Sequence, residues 1–362
     1  MPLISSPALV RLVEQVRAAS ADARALRIRG GGTKDFYGQS FDGEVLDTRA
    51  CAGIVAFEPS ELVVTALAGT PLAELEAALA EKRQMLAFEP PSFGGGATVG
   101  GMFAAGLSGP RRAAAGAVRD FVLGATLVDG EGRVKAFGGQ VMKNVAGYDL
   151  ARVLCGSLGI LGLVAQVSLK VLPVPAKQAT MSIAVGEAEA LRLVNAWAGL
   201  PLPVSATAWQ SDVLRVRFSG AAAAVDTARA RFAREHGAAD VDAGAADAGW
   251  AALREHLDPF FVGDEPLWRV SVPSTAAPLG LPGRQLVEWG GAQRWLKTAA
   301  PAASVREAAA RAGGGATLFR GGDKSAGVFH PLAPAMLQLH QRIKRELDPA
   351  SIFNPGRMYA GL

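Results

Sequence analysis

Three tight groups of glycines are the residues in this sequence with the clearest capacity for chemistry: Gly30–Gly32, Gly94–Gly101, and Gly156 with Gly159 and Gly162. Glycine reaches positive φ and lets another backbone approach, so successive amides can converge on one anion. A diphosphate is the usual client of such a nest. With 43 glycines in the chain, abundance alone accounts for any single group. Three groups in one region, each after the end of a strand or helix, favour a shared ligand. Lys34 and the pair Arg111/Arg112 would add positive charge there, or else lie as solvated surface residues. A nicotinamide-binding G-x-G-x-x-G unit is excluded, because it needs a helix directly after its glycines and an acid on the ribose about 20 residues on. Thr33-Lys34-Asp35-Phe36-Tyr37-Gly38 starts no convincing helix, and the third group lies between a helix and a strand, the reverse order.

The elements that must position these groups alternate in the first half. Leu26–Arg29 reads as a short strand running into Gly30. Glu44–Asp47, Gly53–Phe57 and Glu61–Leu67 read as further strands. Thr70 is expected to cap a helix with Pro71 at its first position and Leu72, Leu75 and Leu79 on the buried face. Phe121–Val128, the turn at Asp129-Gly130 and Arg133–Phe137 form a β-hairpin, and Val164–Val171 is a strand closed by Pro173 and Pro175. Those prolines mark the main boundary. Beyond them the pattern becomes shorter: strands at Met181–Val185, Ala206–Gln210, Leu214–Ser219, Trp268–Val272, Gln285–Trp289, Arg294–Lys297 and Thr317–Arg320, with helices at Glu187–Trp197, Ala222–His236 and Ser304–Arg311. This is a split β-α-β layer of the kind used as an inserted substrate or cap domain. From Pro331 the chain turns helical, with Met336, Leu339, Ile343 and Leu347 expected on one face, and then reaches the turn formers Asn354-Pro355-Gly356. The division is therefore 1–172, 173–330 and 331–362.

Composition narrows the field. The 362 residues exceed one ordinary core, so two domains are expected. Charged residues are 19% and the formal net charge is +4, with the basic residues scattered, so the basic stripe of a nucleic-acid binder is missing. Cys51 and Cys155 are too few for an iron–sulfur cluster or a cysteine zinc site, and no metal site is expected. The lack of a disulfide framework makes a reducing cytoplasm the natural compartment. Arg11, Glu14 and Arg17 interrupt the first apolar stretch, which reads as an amphipathic helix and not a signal peptide. The uncharged run after Val153 is broken by glycines and serines and reads as a loop followed by a strand.

The ordered blocks I-R-G-G-G-T-K (28–34), A-G-T-P-L-A-E-L (68–75), A-T-V-G-G (97–101), K-N-V-A-G-Y-D-L (143–150) and G-S-L-G-I-L-G (156–162) resemble the FAD domain of the vanillyl-alcohol oxidase/PCMH superfamily. The fourth block resembles its glycolate oxidase branch. W-G-G-A-Q-R-W (289–295) and I-F-N-P-G-R-M (352–358) resemble the smaller, FAD-binding (E) subunits of that branch. The resemblance implies an α+β, PCMH-type two-subdomain FAD-binding fold with an inserted α+β cap of antiparallel sheet and helices. It implies that Arg29, Gly30, Gly31, Gly32, Thr33 and Lys34 cradle the FAD pyrophosphate. Thr98, Val99, Gly100 and Gly101 would lie along the diphosphate and flavin, with Pro90 and Ser108 in the same stretch. Gly156, Ser157 and Gly159 would face the ribityl or pyrophosphate part, and the Val164 backbone the adenine.

Relatives that hold FAD covalently use a His in the first loop or a Cys in a later one. Neither type occurs between residues 28 and 50 or between 52 and 154, so non-covalent FAD is expected, with Cys155 a small packing residue. The implied partners are a larger FAD-binding subunit and an iron–sulfur subunit, in the cytoplasm with at most peripheral contact with the inner face of the membrane through them. The implied reaction takes a hydride from the hydroxyl-bearing carbon of a 2-hydroxy acid and needs a base and a cation for the carboxylate. Arg269 and His330 are the candidates; His236, His256 and His340 read as surface or structural residues, and the general base stays unassigned. No compact His–carboxylate spacing is visible, which favours a subunit working within a complex over a self-sufficient hydroxy-acid oxidase. A structural subunit without redox work would leave the glycine nests without a ligand.

Overall fold

The computed structural model describes residues 6–139 and 149–362. Helix α1 (Pro7–Ala21) forms because Leu9, Leu12, Val13, Val16 and Ala19 recur on one face, all buried. Strand β1 (Leu26–Arg29) pairs in parallel with β2 (Glu44–Asp47). Next come β3 (Ile54–Glu58), β4 (Val63–Leu67), α2 (Leu72–Glu81), β5 (Gln84–Met85), α3 (Val99–Ala105), α4 (Arg112–Ala115) and α5 (Val118–Phe121). The expected hairpin follows as β6 (Val122–Val128) and β7 (Val134–Gly138), then α6 (Leu150–Leu154), β8 (Leu163–Lys170) and β9 (Leu172–Pro173).

An antiparallel sheet of order β3-β4-β8-β6-β7 is the centre of this half. On β8, Val167 and Leu169 face α2 and α3, whereas Leu163 and Ala165 face α1. The register breaks between Thr126 and Leu127, leaving Ala165 as an extra residue, so Val164 returns to the first face.

The second half contributes β10 (Lys177–Ala184), α7 (Glu187–Ala198), β11 (Val204–Gln210), β12 (Val213–Gly220), α8 (Ala222–His236), β13 (Ala239–Val241), α9 (Ala243–Glu255), β14 (Leu267–Ser271), β15 (Arg284–Glu288), β16 (Gln293–Lys297), α10 (Ala302–Arg311) and β17 (Gly315–Arg320). Its strands form one antiparallel sheet of order β13-β10-β12-β11-β15-β16-β14-β17. An aromatic cluster including Tyr37, Trp250, Phe261, Trp295 and Phe319 packs between the halves. Glu89 reinforces the junction by accepting from Arg111 of the first half and Arg217 of the second. Helix α11 (Pro334–Leu347) then leads back to the first half, where Phe353 bridges to Leu26.

Three local expectations are corrected. Thr70 caps no helix: its hydroxyl is used on the N–H and C=O of Gly53, and Pro71 takes the cap position. Met336 and Leu339 are exposed, while Leu337, Lys344 and Leu347 turn inward, because the buried Lys344–Asp348 pair fixes the rotation of α11. The split-layer reading also omitted α9, whose only buried residues are Ala246, Trp250 and Leu253.

Candidate functional site

A cleft of about 510 Å³ opens where β1 ends, lined by Arg29 to Asp35, Thr98, Gly101, Leu158, Asn354 and Arg357 among others. Two loops meet closely there. A Cβ on Gly31 would stand 1.4 Å from the carbonyl oxygen of Gly96, and one on Gly30 would stand 2.3 Å from Thr98 Oγ1. Among the described residues, the amides from Gly30 to Lys34 have no hydrogen-bond acceptor. The loop carrying them is nevertheless fixed: Arg29 Nε donates to Asp35 at 2.8 Å, and Arg357 donates to the carbonyls of Lys34 and Tyr37. Lys34 is buried, not a solvated surface residue, and burial lowers its ammonium to about pKa 8 despite the opposing pull of Glu255. A fixed row of free amides beside a buried cation is complementary to a diphosphate, so the residues present fit one.

The second glycine group behaves differently from the first. Thr98 and Gly101 line the cleft, but the amides of Val99 and Gly100 donate to Thr70 and Ala68, and Thr98 Oγ1 accepts from Gly101. In the third group Gly156 donates to Phe103, Ser157 to Leu154 and Leu158 to Ala104. These glycines allow close packing: a Cβ on Gly106 would lie 2.8 Å from Gly156 Cα, and one on Gly159 would lie 2.7 Å from the Asn354 amide. Val164 sits within β8 and packs in the core, and Pro90 is buried. The K-N-V-A-G-Y block lies outside the described residues.

Asn354 is the residue that sequence reasoning missed, having taken it only as a turn former. Its side-chain oxygen accepts from Ile28 N at 2.8 Å, and its nitrogen donates to Leu158 O at 2.6 Å. It therefore clamps the first loop to the third glycine group. The signal available in the sequence was its place in the I-F-N-P-G-R-M block.

A second cleft, of about 320 Å³, lies between the halves and is lined by Phe93, Ser108, His256, Arg269, Glu288, Trp295 and Phe319 among others. Phe93 joins the two clefts, since its ring centroid is 5.4 Å from Lys34 Nζ. Ser108 is turned to this side, with its hydroxyl accepting from Val118 N. Arg269 donates to Gln293 at 2.9 Å, and its charge lies close enough to act on Tyr37, which follows the first glycine loop. No carboxylate pairs with Arg269 among the described residues. Trp268, Trp289 and Trp295 are all buried.

His256 is not a free surface residue. Positive φ at 55° turns it inward after α9, and its ring stacks on Phe261 at 3.9 Å. Burial, aided by Arg320 and Arg269, holds its pKa well below the ordinary histidine range. Glu288 is pushed up to about 7 by burial, against the hydrogen bond from Trp295. The sequence pattern did not show this His, carboxylate and Arg together, because they reach the cleft from a helix end and two non-adjacent strands. His330 does not line either cleft; it lies beside Gly315 at the start of β17. Arg111 is buried in its pairing with Glu89, and Arg112 lies 4.5 Å from the Trp289 ring centroid.

Comparison with known proteins accords with this geometry. Residues 10–138 match the family model described as an FAD binding domain. The glycolate oxidase subunit GlcE of Escherichia coli (strain K12) is 45% identical over 351 residues, spanning 97% of each chain. A D-lactate dehydrogenase of Archaeoglobus fulgidus is 32% identical over 148 residues, 40% of this chain and 33% of that one. The solved alkyldihydroxyacetonephosphate synthase superposes with a TM-score of 0.65 over 96% of this chain and 75% of its own, at 14% identity, and so shares the fold. The chain belongs to the family of FAD-binding glycolate oxidase subunits that includes GlcE.

Proposed function

We propose that this chain holds one FAD non-covalently as the smaller flavin subunit of a cytoplasmic complex oxidising glycolate or a related 2-hydroxy acid. Its partners would be a larger FAD-binding subunit and an iron–sulfur subunit. In this reading residues 1–172 and 331–362 build the cofactor cradle and residues 173–330 form the cap. The row of free amides from Gly30 to Lys34 carries the proposal, since five consecutive donors with no protein acceptor border one cleft and are free to take an anion. Lys34 supplies countercharge, Thr98 and Gly101 border the same cleft, and Asn354 and Arg357 hold the loop in shape. FAD, when bound, supplies a two-electron acceptor for the hydride of the substrate carbon.

Non-covalent attachment is supported by the cleft's described lining, which includes neither His nor Cys, and by the nearby Cys155, whose thiol is pushed up to about 12 by burial. No described helix is long and apolar enough to cross a membrane. The test is an absorption spectrum of the purified chain before and after acid precipitation. Flavin released to the supernatant is expected. Flavin retained on the precipitate would refute non-covalent binding, and a colourless chain that cannot be reloaded with FAD would refute the cofactor assignment.

A further inference from the structure

Helix α9 ends on a carboxylate, Glu255, at the end of a helix where the free carbonyls disfavour negative charge. What holds it there comes from the other half of the molecule. Its Oε2 accepts from Phe93 N at 2.8 Å and from Ser92 N at 3.0 Å, while its Oε1 accepts from Arg254 Nε at 2.8 Å. Two successive amides converging on one carboxylate make a small anion nest, and the cap fills it. The contact also fixes an unfavourable backbone, since Phe93 sits at φ 54°, in the left-handed region that a bulky residue rarely adopts. Trp250 Nε1 donates to Thr180 Oγ1 at 2.9 Å and Leu253 is buried, so the place of Glu255 is set by the cap sheet.

The dipeptide that Glu255 holds is the one on which Lys34 leans. Beyond its own neighbour Thr33, the Lys34 ammonium donates to Ser92 O at 3.2 Å and lies 5.4 Å from the centre of the Phe93 ring. Burial lowers Lys34 to about pKa 8, and the charge of Glu255 opposes that fall. Other charged groups surround the same spot. Glu76 of α2 feels both Arg254 and Glu255, and Arg320 of β17 lies 5.6 Å from the Phe93 ring centroid. Asp35 is engaged with Arg27 and Arg29, and Arg357 donates to the Lys34 carbonyl. His256 packs on Phe93, and burial keeps its pKa well below the ordinary range.

We propose that Glu255 is a positioning residue for the cofactor cradle: by holding Ser92 and Phe93 it aims Lys34 into the first cleft, so the cap half governs how tightly the other half holds its flavin. The inference rests on the reading of that cleft as an FAD site. Glu255 lines neither cleft, so it acts through Lys34 and not by touching the cofactor.

A double-mutant cycle on the flavin-stripped full chain, titrated with FAD by fluorescence at pH values on both sides of 8, tests the assignment. Glu255→Gln keeps the shape of the side chain but removes its charge and one of its two acceptors. In the wild-type background it should weaken FAD by about 10-fold at neutral pH, the cost of a lost charge-assisted contact. It should also move the alkaline loss of affinity to lower pH, because Lys34 loses the charge that favours its ammonium. In a Lys34→Met background the same change should cost less than about threefold, since its route to the flavin is already cut. Glu255→Asp keeps the charge on a shorter stem and should restore the pH profile with part of the affinity. Should Glu255→Gln not fold, Glu255→Asp runs the same cycle, with a smaller loss that again needs Lys34. Equal losses in the two backgrounds overturn this inference alone, as does a folded Glu255→Gln chain with the wild-type affinity and pH profile. A wild-type chain that takes no FAD overturns the cofactor reading and this inference with it.

Discussion

Replacing Gly31 by alanine tests whether the cofactor cradle depends on two backbones meeting without side chains. The backbone of Gly31 is not in the left-handed region, so alanine is acceptable there by φ and the effect is steric. Its Cβ would lie 1.4 Å from the Gly96 oxygen, whereas ordinary contact begins at 3.4 Å. The two loops must therefore part by about 2 Å, enough to break a hydrogen bond at either flank. If two of the amides between Gly30 and Lys34 lose a phosphate oxygen, at about 1.5–3 kcal/mol each, FAD affinity falls by roughly 10²–10⁴-fold. Fluorescence titration of the flavin-stripped chain with FAD measures this. Gly95→Ala is the internal control, because a Cβ there meets nothing within 4 Å even though it lies in the most conspicuous glycine run. Gly31→Ala binding FAD within threefold of wild type would refute the cradle. Equal losses in both variants would refute the geometric distinction.

Three further outcomes are expected. Lys34 carries its charge below a pKa of about 8, so FAD affinity should fall as pH rises through that value, and Lys34→Met should flatten the profile in the same titration. Asn354→Ala leaves Ile28 N and Leu158 O without their partner and should cost about 2–4 kcal/mol of stability in urea unfolding, with flavin lost at lower denaturant than in the wild type. Glu288 has a folded pKa raised to about 7 from 4.5, so the folded state binds the extra proton and stability falls as pH rises from 4.5 through 7. Glu288→Gln should remove that decline, of the order of a few kcal/mol, leaving stability at pH 4.5 little changed and higher than wild type at pH 8; an unaltered pH–stability curve would contradict it.

Local pattern was enough where local physics decides. Leu26–Arg29 and Ala222–His236 form as read, because a strand ending in glycines and a helix of Ala, Arg and spaced apolar residues carry their own signals. Helix α9 was hidden by composition: Gly244, Asp247 and Gly249 interrupt its alanines and leave little apolar periodicity, and tertiary burial of Trp250 and Leu253 stabilises it. Helix α3 was hidden for the same reason within the second glycine group, where burial of Val99, Met102 and Phe103 outweighs two glycines. The first glycine loop was legible as a candidate anion cradle, but three glycine groups looked equivalent in sequence. Only the hydrogen bonds show that the amides of Gly156, Ser157 and Leu158 are already taken within the chain, unlike those of the first group. The second cleft was not legible because Arg269 on β14 faces Trp295 on β16, which in turn faces Leu286 on β15, near Glu288. That convergence is set by strand register over long separations, and His256 joins it through one residue at positive φ.

The clamp formed by Asn354 has a consequence for biosynthesis. It joins Ile28 across 326 positions of sequence and Leu158 across 196. A ribosome therefore releases the glycine loop into solution long before the residue that fixes its shape has been translated. Until then the loop carries free amides with no clamp on its flank. The loop's flank is thus completed only when residues near the C-terminal end of the sequence pack back on β1. Any message truncated upstream of Ile352 yields a product that contains every glycine of the cradle and yet lacks the piece that sets it.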